Sequence, residues 1–278
     1  MLFRSGRLRL TEDPIGKSLI SLMLPMMVGM IALVSYSLVD TFFIGQLGTM
    51  ELAAVAFTFP VSFIVAAVSL GLGAVTSSVT SRLFGSRELG KIQRITTHAA
   101  ILAIGVGLCV VAIGVNTIEP VFRLLGADDI TLPLIDRYMS IYYFGGVFLI
   151  IPMIGNSVLR ASGGTKTPSY LMTAGALLNV VLDPIFIFGW GPIPRMELEG
   201  AAIATVLSNA LVAACSFGIL YFRDHLLRWK KEDLPLILDS WRRILHVGIP
   251  SMASSLVVPL TTAFITWQIG RASCRERV

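Results

Sequence analysis

The stretch LAAVAFTFPVSFIVAAVSLGLGAVTSSVTS, Leu52–Ser81, contains no Asp, Glu, Lys or Arg. A helix needs about 20 mostly apolar residues to cross bilayer hydrocarbon, so this run spans a membrane with length to spare. It does not alternate apolar with polar residues, which excludes a barrel strand. Pro60, Gly71 and Gly73 predict a tilted or kinked helix rather than a straight one. Working outward, six more predominantly apolar runs of spanning length cover residues 18–45, 95–118, 132–159, 168–188, 201–222 and 244–268. The fold class is therefore all-α: a polytopic membrane protein with seven transmembrane helices.

Composition agrees. Of 278 residues, 55% are hydrophobic and 14% charged, against roughly a quarter charged in a soluble domain. That excludes a water-soluble enzyme and leaves no room for a second soluble domain. The sequence is basic, with a pI near 9.3, but its Lys and Arg sit in short loops beside apolar runs, which argues for membrane orientation rather than nucleic-acid binding. Counted by loop, one set of alternating segments carries sixteen Lys and Arg and the other set carries three. Positive charge is retained in the cytoplasm, so the N-terminus is expected there. Cys109, Cys215 and Cys274 are far apart in sequence and suggest neither a disulfide framework nor a metal cluster. No small-residue cleavage site follows the first apolar run, which predicts a retained helix rather than a signal peptide.

The carboxylates well inside the spans are Asp40 in the first and Asp183 in the fifth, and neither has a Lys or Arg within its span. An ionisable group there costs about 2.5–3.5 kcal/mol on insertion scales, so two of them need a reason. Binding a proton or a cation supplies one. Both helices run outward, which puts both carboxylates in the outer half of the bilayer. Asn179 lies four residues before Asp183 and shares its helix face. Pro184 has no N–H for the Val180 carbonyl, which leaves a free oxygen one turn away. Tyr138 and Thr205, on helices entering from outside, reach comparable depth, so four helices could converge on one polar pocket. Asp40, Asn179, Asp183 and Thr205 together offer the oxygens that a proton or Na+ needs. Two plainer readings stand beside this one: Asp40 as an interfacial residue, and Asp183-Pro184 as a turn.

Other features have less specific readings. Gly105, Gly107, Gly145 and Gly146 are expected to permit close helix packing. Phe57, Phe59, Phe63, Tyr142 and Tyr143 either line a route for a lipophilic cation or face lipid. The last ten residues, Ile269–Val278, place three arginines on the side that elsewhere avoids them, and they look like a translated sequencing adapter; they are left out of the fold reading. Leu24-Pro25 recurs as Ile249-Pro250, and the same offset pairs Thr41 with Thr266, a faint internal repeat of the kind secondary transporters use.

A family resemblance rests on several motifs in order: Leu24-Pro25, Val39-Asp-Thr-Phe-Phe-Ile-Gly45, Leu52-Ala-Ala-Val-Ala56, Leu159-Arg-Ala-Ser-Gly-Gly-Thr-Lys-Thr-Pro168, Leu178-Asn-Val-Val-Leu-Asp-Pro184 and Gly200-Ala-Ala-Ile-Ala-Thr205. Over about residues 10–268 the sequence resembles the bacterial multidrug and toxic compound extrusion (MATE) transporters. The resemblance implies twelve helices in two six-helix lobes. Residues 1–17 would be a cytoplasmic segment, 18–222 the first lobe, 223–243 the interlobe loop, and 244–268 the first helix of a second lobe that this chain lacks. It further implies that Asp40 binds the coupling ion with Asn179, Asp183, Tyr138 and Thr205, and that Pro25 is a conformational hinge. Some relatives carry a glutamate where this chain has Val258, so a sodium scheme built on that residue is not expected. The implied activity is exchange of an external proton or sodium ion for a lipophilic organic cation in a bacterial cytoplasmic membrane. No cofactor, nucleic acid or enzymatic step is implied, and the complete protein is expected to be monomeric. The alternatives are a lipid-linked oligosaccharide flippase, which would favour cationic residues facing the cleft, and an intramembrane aspartyl protease.

Overall fold

The structure, a computed structural model, describes residues 15–86, 88–227, 234–257, 260–265 and 268. The N-terminal segment up to residue 14, residues 228–233 of the expected interlobe loop, Val258, Thr266 and the 269–278 tail lie outside the described residues. The helices are α1 (Ile15–Gly45), α2 (Thr49–Gly85), α3 (Leu89–Leu124), α4 (Leu132–Phe144), α5 (Gly146–Ala161), α6 (Lys166–Phe188), α7 (Glu197–Gly218) and α8 (Leu234–Ser255). A π-helical turn, Ile219–Arg223, extends α7. Among the described residues, six helices are long and apolar enough to cross a membrane, and α4 with α5 makes a seventh crossing if the bent pair counts as one. The chain is a multi-pass membrane protein: a six-crossing bundle followed by a seventh helix.

Hydrocarbon offers no water to unpaired polar groups, and several hydroxyls inside the spans bond back to their own helices. Thr58 donates to the Val55 carbonyl at 2.7 Å, Ser69 to Val65 at 2.8 Å and Thr76 to Leu72 at 2.7 Å. Large apolar side chains such as Leu19, Leu38, Phe42 and Leu211 remain exposed, as expected of a surface solvated by lipid.

Helix α1 packs along α6, α6 along α7, and α2 against α5, while α8 lies on α2 and α3. Three apolar clusters fill the bundle. One joins Ile44, Val55, Phe122, Ile135, Met139 and Ile187; a second joins Leu72, Val75, Ala103, Ile150, Ile154 and Ile244; the third joins Ile92, Val158, Leu159 and Leu220.

The structure revises three expectations. The fourth span is two helices bent by 46° at Gly145, not one rod. Gly145 sits directly against Val206 of α7, and the close fit of this junction is possible because it carries no side chain. The seventh helix starts at Leu234, ten residues before the expected span. Its first turns were hidden by charge: Arg243 and Asp239, one turn apart, pair at 3.0 Å on an exposed face while Ser240 and Ile244 are buried. Among the paired glycines, a Cβ on Gly107 would lie 2.7 Å from the Val147 Cα, whereas Gly105 has nothing within 4 Å and serves no packing role.

Candidate functional site

The polar residues singled out in the sequence come from α1, α4, α6 and α7, and the long α1–α6 seam brings the two carboxylates to one level. Asn179 and Asp183 sit one turn apart on α6, both buried. The Asn179 Nδ2 donates to Asp183 Oδ1 at 3.2 Å and lies 3.5 Å from Thr205 Oγ1 on α7, at the far limit of hydrogen-bond length. Asp40 and Asp183 lie within electrostatic range of each other, and Tyr138, buried on α4, lies within range of both. Asp40, Asn179, Asp183, Thr205 and Tyr138 therefore form one group, not residues scattered around the bundle.

Three oxygens of this group are buried without a hydrogen-bond partner: Asp40 Oδ1, Asn179 Oδ1 and Asp183 Oδ2. The ion pairs among the described residues join other groups, and none involves Asp40 or Asp183. Buried acceptors without donors are costly, and the cost falls when a proton or a small hard cation binds them. Pro184 lies inside α6, so the Val180 carbonyl receives no helical bond from position 184 and adds an acceptor on the neighbouring turn. Two carboxylates, an amide, a hydroxyl and a carbonyl suit a proton or Na+ better than a soft metal.

Pro25 is not part of this group. It lies fifteen residues before Asp40, about 22 Å down the helix at 1.5 Å per residue. The Ser169 hydroxyl on α6 donates to its carbonyl. One turn further along, Gly29 lets the helices touch: a Cβ there would sit 3.4 Å from the Ser169 Cα.

Tyr36 was missed in the sequence. It stands one turn before Asp40 on the same face and lies within electrostatic range of Asp40, Asp183 and Tyr138. The spacing that linked Asn179 to Asp183 would have found it. Tyr142 stacks on Tyr138 with ring centroids 6.1 Å apart and shares a hydrogen bond with Ser62, which ties the group to α2. The other aromatics do not form one route: Phe59 and Phe63 stack on each other at the exposed surface, and Tyr143 is packed in the core against Gly114.

Compared with known proteins, the chain matches the family described as MatE over residues 25–185, more than half its length. It belongs to the MatE family. Members of this family are transporters, not enzymes, so the protease alternative falls. Among curated relatives, the FAD transporter of Shewanella oneidensis is 39% identical over 92% of this chain and 57% of its own length. The multidrug export protein MepA of Staphylococcus aureus is 28% identical over 90% of this chain and 55% of its own length. Among solved structures, a mutant of the Vibrio cholerae MATE transporter VcmN superposes with a TM-score of 0.82 at 30% identity, covering 90% of this chain and 56% of that one. The chain thus spans about half the length of the curated relatives it matches.

Proposed function

We propose that this chain carries the coupling-ion site of a secondary exporter that exchanges an external proton or sodium ion for a cytoplasmic lipophilic organic cation. The unpartnered buried oxygens of Asp40, Asn179 and Asp183 carry the reading, because an ion with no other reason to enter the bundle satisfies them. An ion shared across the α1–α6 seam favours one packing of the two helices over another, and that difference drives the conformational step. Pro25 is the proposed hinge of α1, with the Ser169 hydroxyl as the contact that steadies it. The loop charges support an orientation with the N-terminus and the basic ends of the helices in the cytoplasm, and the bacterial relatives support a location in the inner membrane.

Swapping one monovalent cation for another moves no net charge, so the membrane voltage, about 2.3 kcal/mol per 100 mV, contributes nothing. The ion gradient alone drives export, at roughly tenfold accumulation per tenfold gradient. In cells expressing the protein, Asp40→Asn and Asp183→Asn are expected to abolish ion-driven efflux of ethidium while leaving membrane insertion unchanged. Undiminished efflux in both variants would refute the assignment.

A second substrate class has its own support. The Shewanella oneidensis relative is named an FAD transporter, and a flavin dinucleotide is an anion. If the substrate is of that kind, flavin appears in the medium of expressing cells, its release falls in Asp40→Asn, and ethidium efflux stays at background.

A further inference from the structure

We propose that the coupling ion passes between the Asp40–Asp183 group and the cytoplasm through the interior of the six-crossing bundle, stepping along Asn209 and Asn156 to an inner mouth guarded by Arg160. The proposal rests on the exporter reading and orientation given above and adds the ion's route and its gate.

The route starts at Thr205 of α7, which stands beside Asn179. Helix α7 runs inward from there, and Asn209 follows one turn later on the same face, its Nδ2 donating to the Thr205 carbonyl at 2.9 Å. Two turns further in, Ser216 lies fully buried on that face, so close to α5 that a Cβ on Gly155 would come within 2.5 Å of its Oγ. The stripe Thr205, Asn209, Ser216 thus carries polar atoms from the coupling group down to α5, a rise of about 16 Å.

At that level α5 supplies Asn156. Its neighbours fix its direction, because successive residues of a helix point about 100° apart. Gly155 lies against Ser216 and Phe217 of α7, Ser157 lies against Gly73 of α2, and Ile150 and Ile154 cluster with Ala99 and Ala103 of α3. Asn156 points to the remaining side. It is 4% exposed, so that side is the bundle interior and not lipid, and its Oδ1 has no hydrogen-bond partner. A buried amide oxygen left unsatisfied is costly unless water or an ion visits it.

Arg160 ends the file. It lies one turn beyond Asn156 on the same face, and its Nη2 donates back to Ser157 Oγ at 2.7 Å. No ion pair among the described residues involves it. The acidic residues of α5, α6 and α7 are Asp183, Glu197 and Glu199, all toward the opposite end. A cation moving inward therefore meets uncompensated positive charge at the mouth, the device by which an arginine in a membrane pore excludes protons and cations. Tethered to Ser157, the guanidinium closes the route; swung out to headgroup level, as its long stem allows, it opens it. Such a gate keeps ions from leaking through the exporter between transport cycles.

The test uses the complete protein in proteoliposomes without substrate, with downhill entry of protons read by trapped pyranine and entry of sodium by a radioactive tracer. Arg160→Gln removes the charge and is expected to speed entry of one ion or both at least tenfold, the effect of a unit charge within about 12 Å of the path at an effective dielectric constant of about 20. Arg160→Lys keeps the charge and is expected to stay at the wild-type rate. Adding Asn156→Leu to Arg160→Gln removes the step next to the gate and is expected to bring the leak back down, whereas Asn156→Ser, which keeps a polar oxygen, leaves it high. Unchanged entry of both ions in Arg160→Gln overturns the gate, as does equal leakage in Arg160→Lys; a leak that Asn156→Leu does not lower overturns the route. Should Arg160→Gln insert poorly, Ser157→Ala cuts the tether, with a rise of about fivefold expected from the loss of one net hydrogen bond and unchanged entry again decisive against the gate. Entry without substrate does not depend on what is exported. If Arg160→Gln leaks as expected while Asp40→Asn and Asp183→Asn leave efflux intact, the gate stands and the coupling assignment falls; if efflux is lost in both and no leak appears, the assignment stands and the gate falls.

Discussion

Asn179→Leu tests the polar group through its central member. The replacement nearly preserves volume and removes every polar atom at a buried position. It deletes the donor that Asp183 Oδ1 receives at 3.2 Å. Asp183 Oδ2 already has no partner, so both oxygens of a fully buried carboxyl group are left without a bond. A hydrogen bond to a charged group is worth about 1.5–3 kcal/mol net, and one to a neutral group about 0.5–1.5 kcal/mol. Destabilisation of about 2–3 kcal/mol is therefore expected where Asp183 is ionised, and about 1 kcal/mol where it is protonated. The sign follows from the donor: an amide N–H favours the charged form, so its removal hurts most at high pH and least at low pH. Unfolding of the purified protein in detergent, with wild type and variant compared at pH 5 and pH 9, measures the difference directly. Equal destabilisation at both pH values, or less than about 0.5 kcal/mol at either, would refute the view that Asn179 serves the carboxyl group rather than filling space.

The two glycines of α3 should part company. Gly107→Ala forces a Cβ to within 2.7 Å of the Val147 Cα and is expected to cost about 1–3 kcal/mol, the usual penalty of overpacking. Gly105→Ala meets open space and is expected to leave unfolding unchanged or stabilise by up to about 1 kcal/mol, because alanine favours helix; the same detergent assay reads both. Ser169→Ala removes the donor to the Pro25 carbonyl. It is expected to lower stability by about 1 kcal/mol and to speed amide hydrogen exchange in the first turns of α1, with Gly45 and its neighbours unaffected.

Much of this architecture was legible because lipid leaves a chain few choices. Runs without charge had to become helices, and the ends of α1, α2 and α6 fell within four residues of the expected limits, whereas α3 and the start of α8 reach further into charged turns. The Arg243–Asp239 pair is such a place: it is exposed, while Ser240 and Ile244 on the opposite face are buried. A reading based on uncharged runs therefore began the seventh helix too late. Asp40 and Asp183 stood out because a carboxylate inside a span is expensive, and Asn179 because it shares a face with one of them. Tyr36 escaped notice because a tyrosine in a span is unremarkable until its neighbours are known. Which of two glycines is packed depends on what lies opposite. For Gly107 that is Val147, forty residues away in sequence, and no local pattern contains it.

The elbow at Gly145 determines where a phenol ends up. Tyr138 lies seven residues before it, about 10 Å of helical rise. Swinging that arm through 46° moves its tip by about 8 Å relative to a straight continuation of α5. Straightened, the same residues would carry the Tyr138 hydroxyl well away from Asp40 and Asp183. A change of only five degrees would shift it by about 1 Å, enough to make or break a hydrogen bond. One residue without a side chain, far from any charge, thus sets the aim of a group that the carboxylates feel.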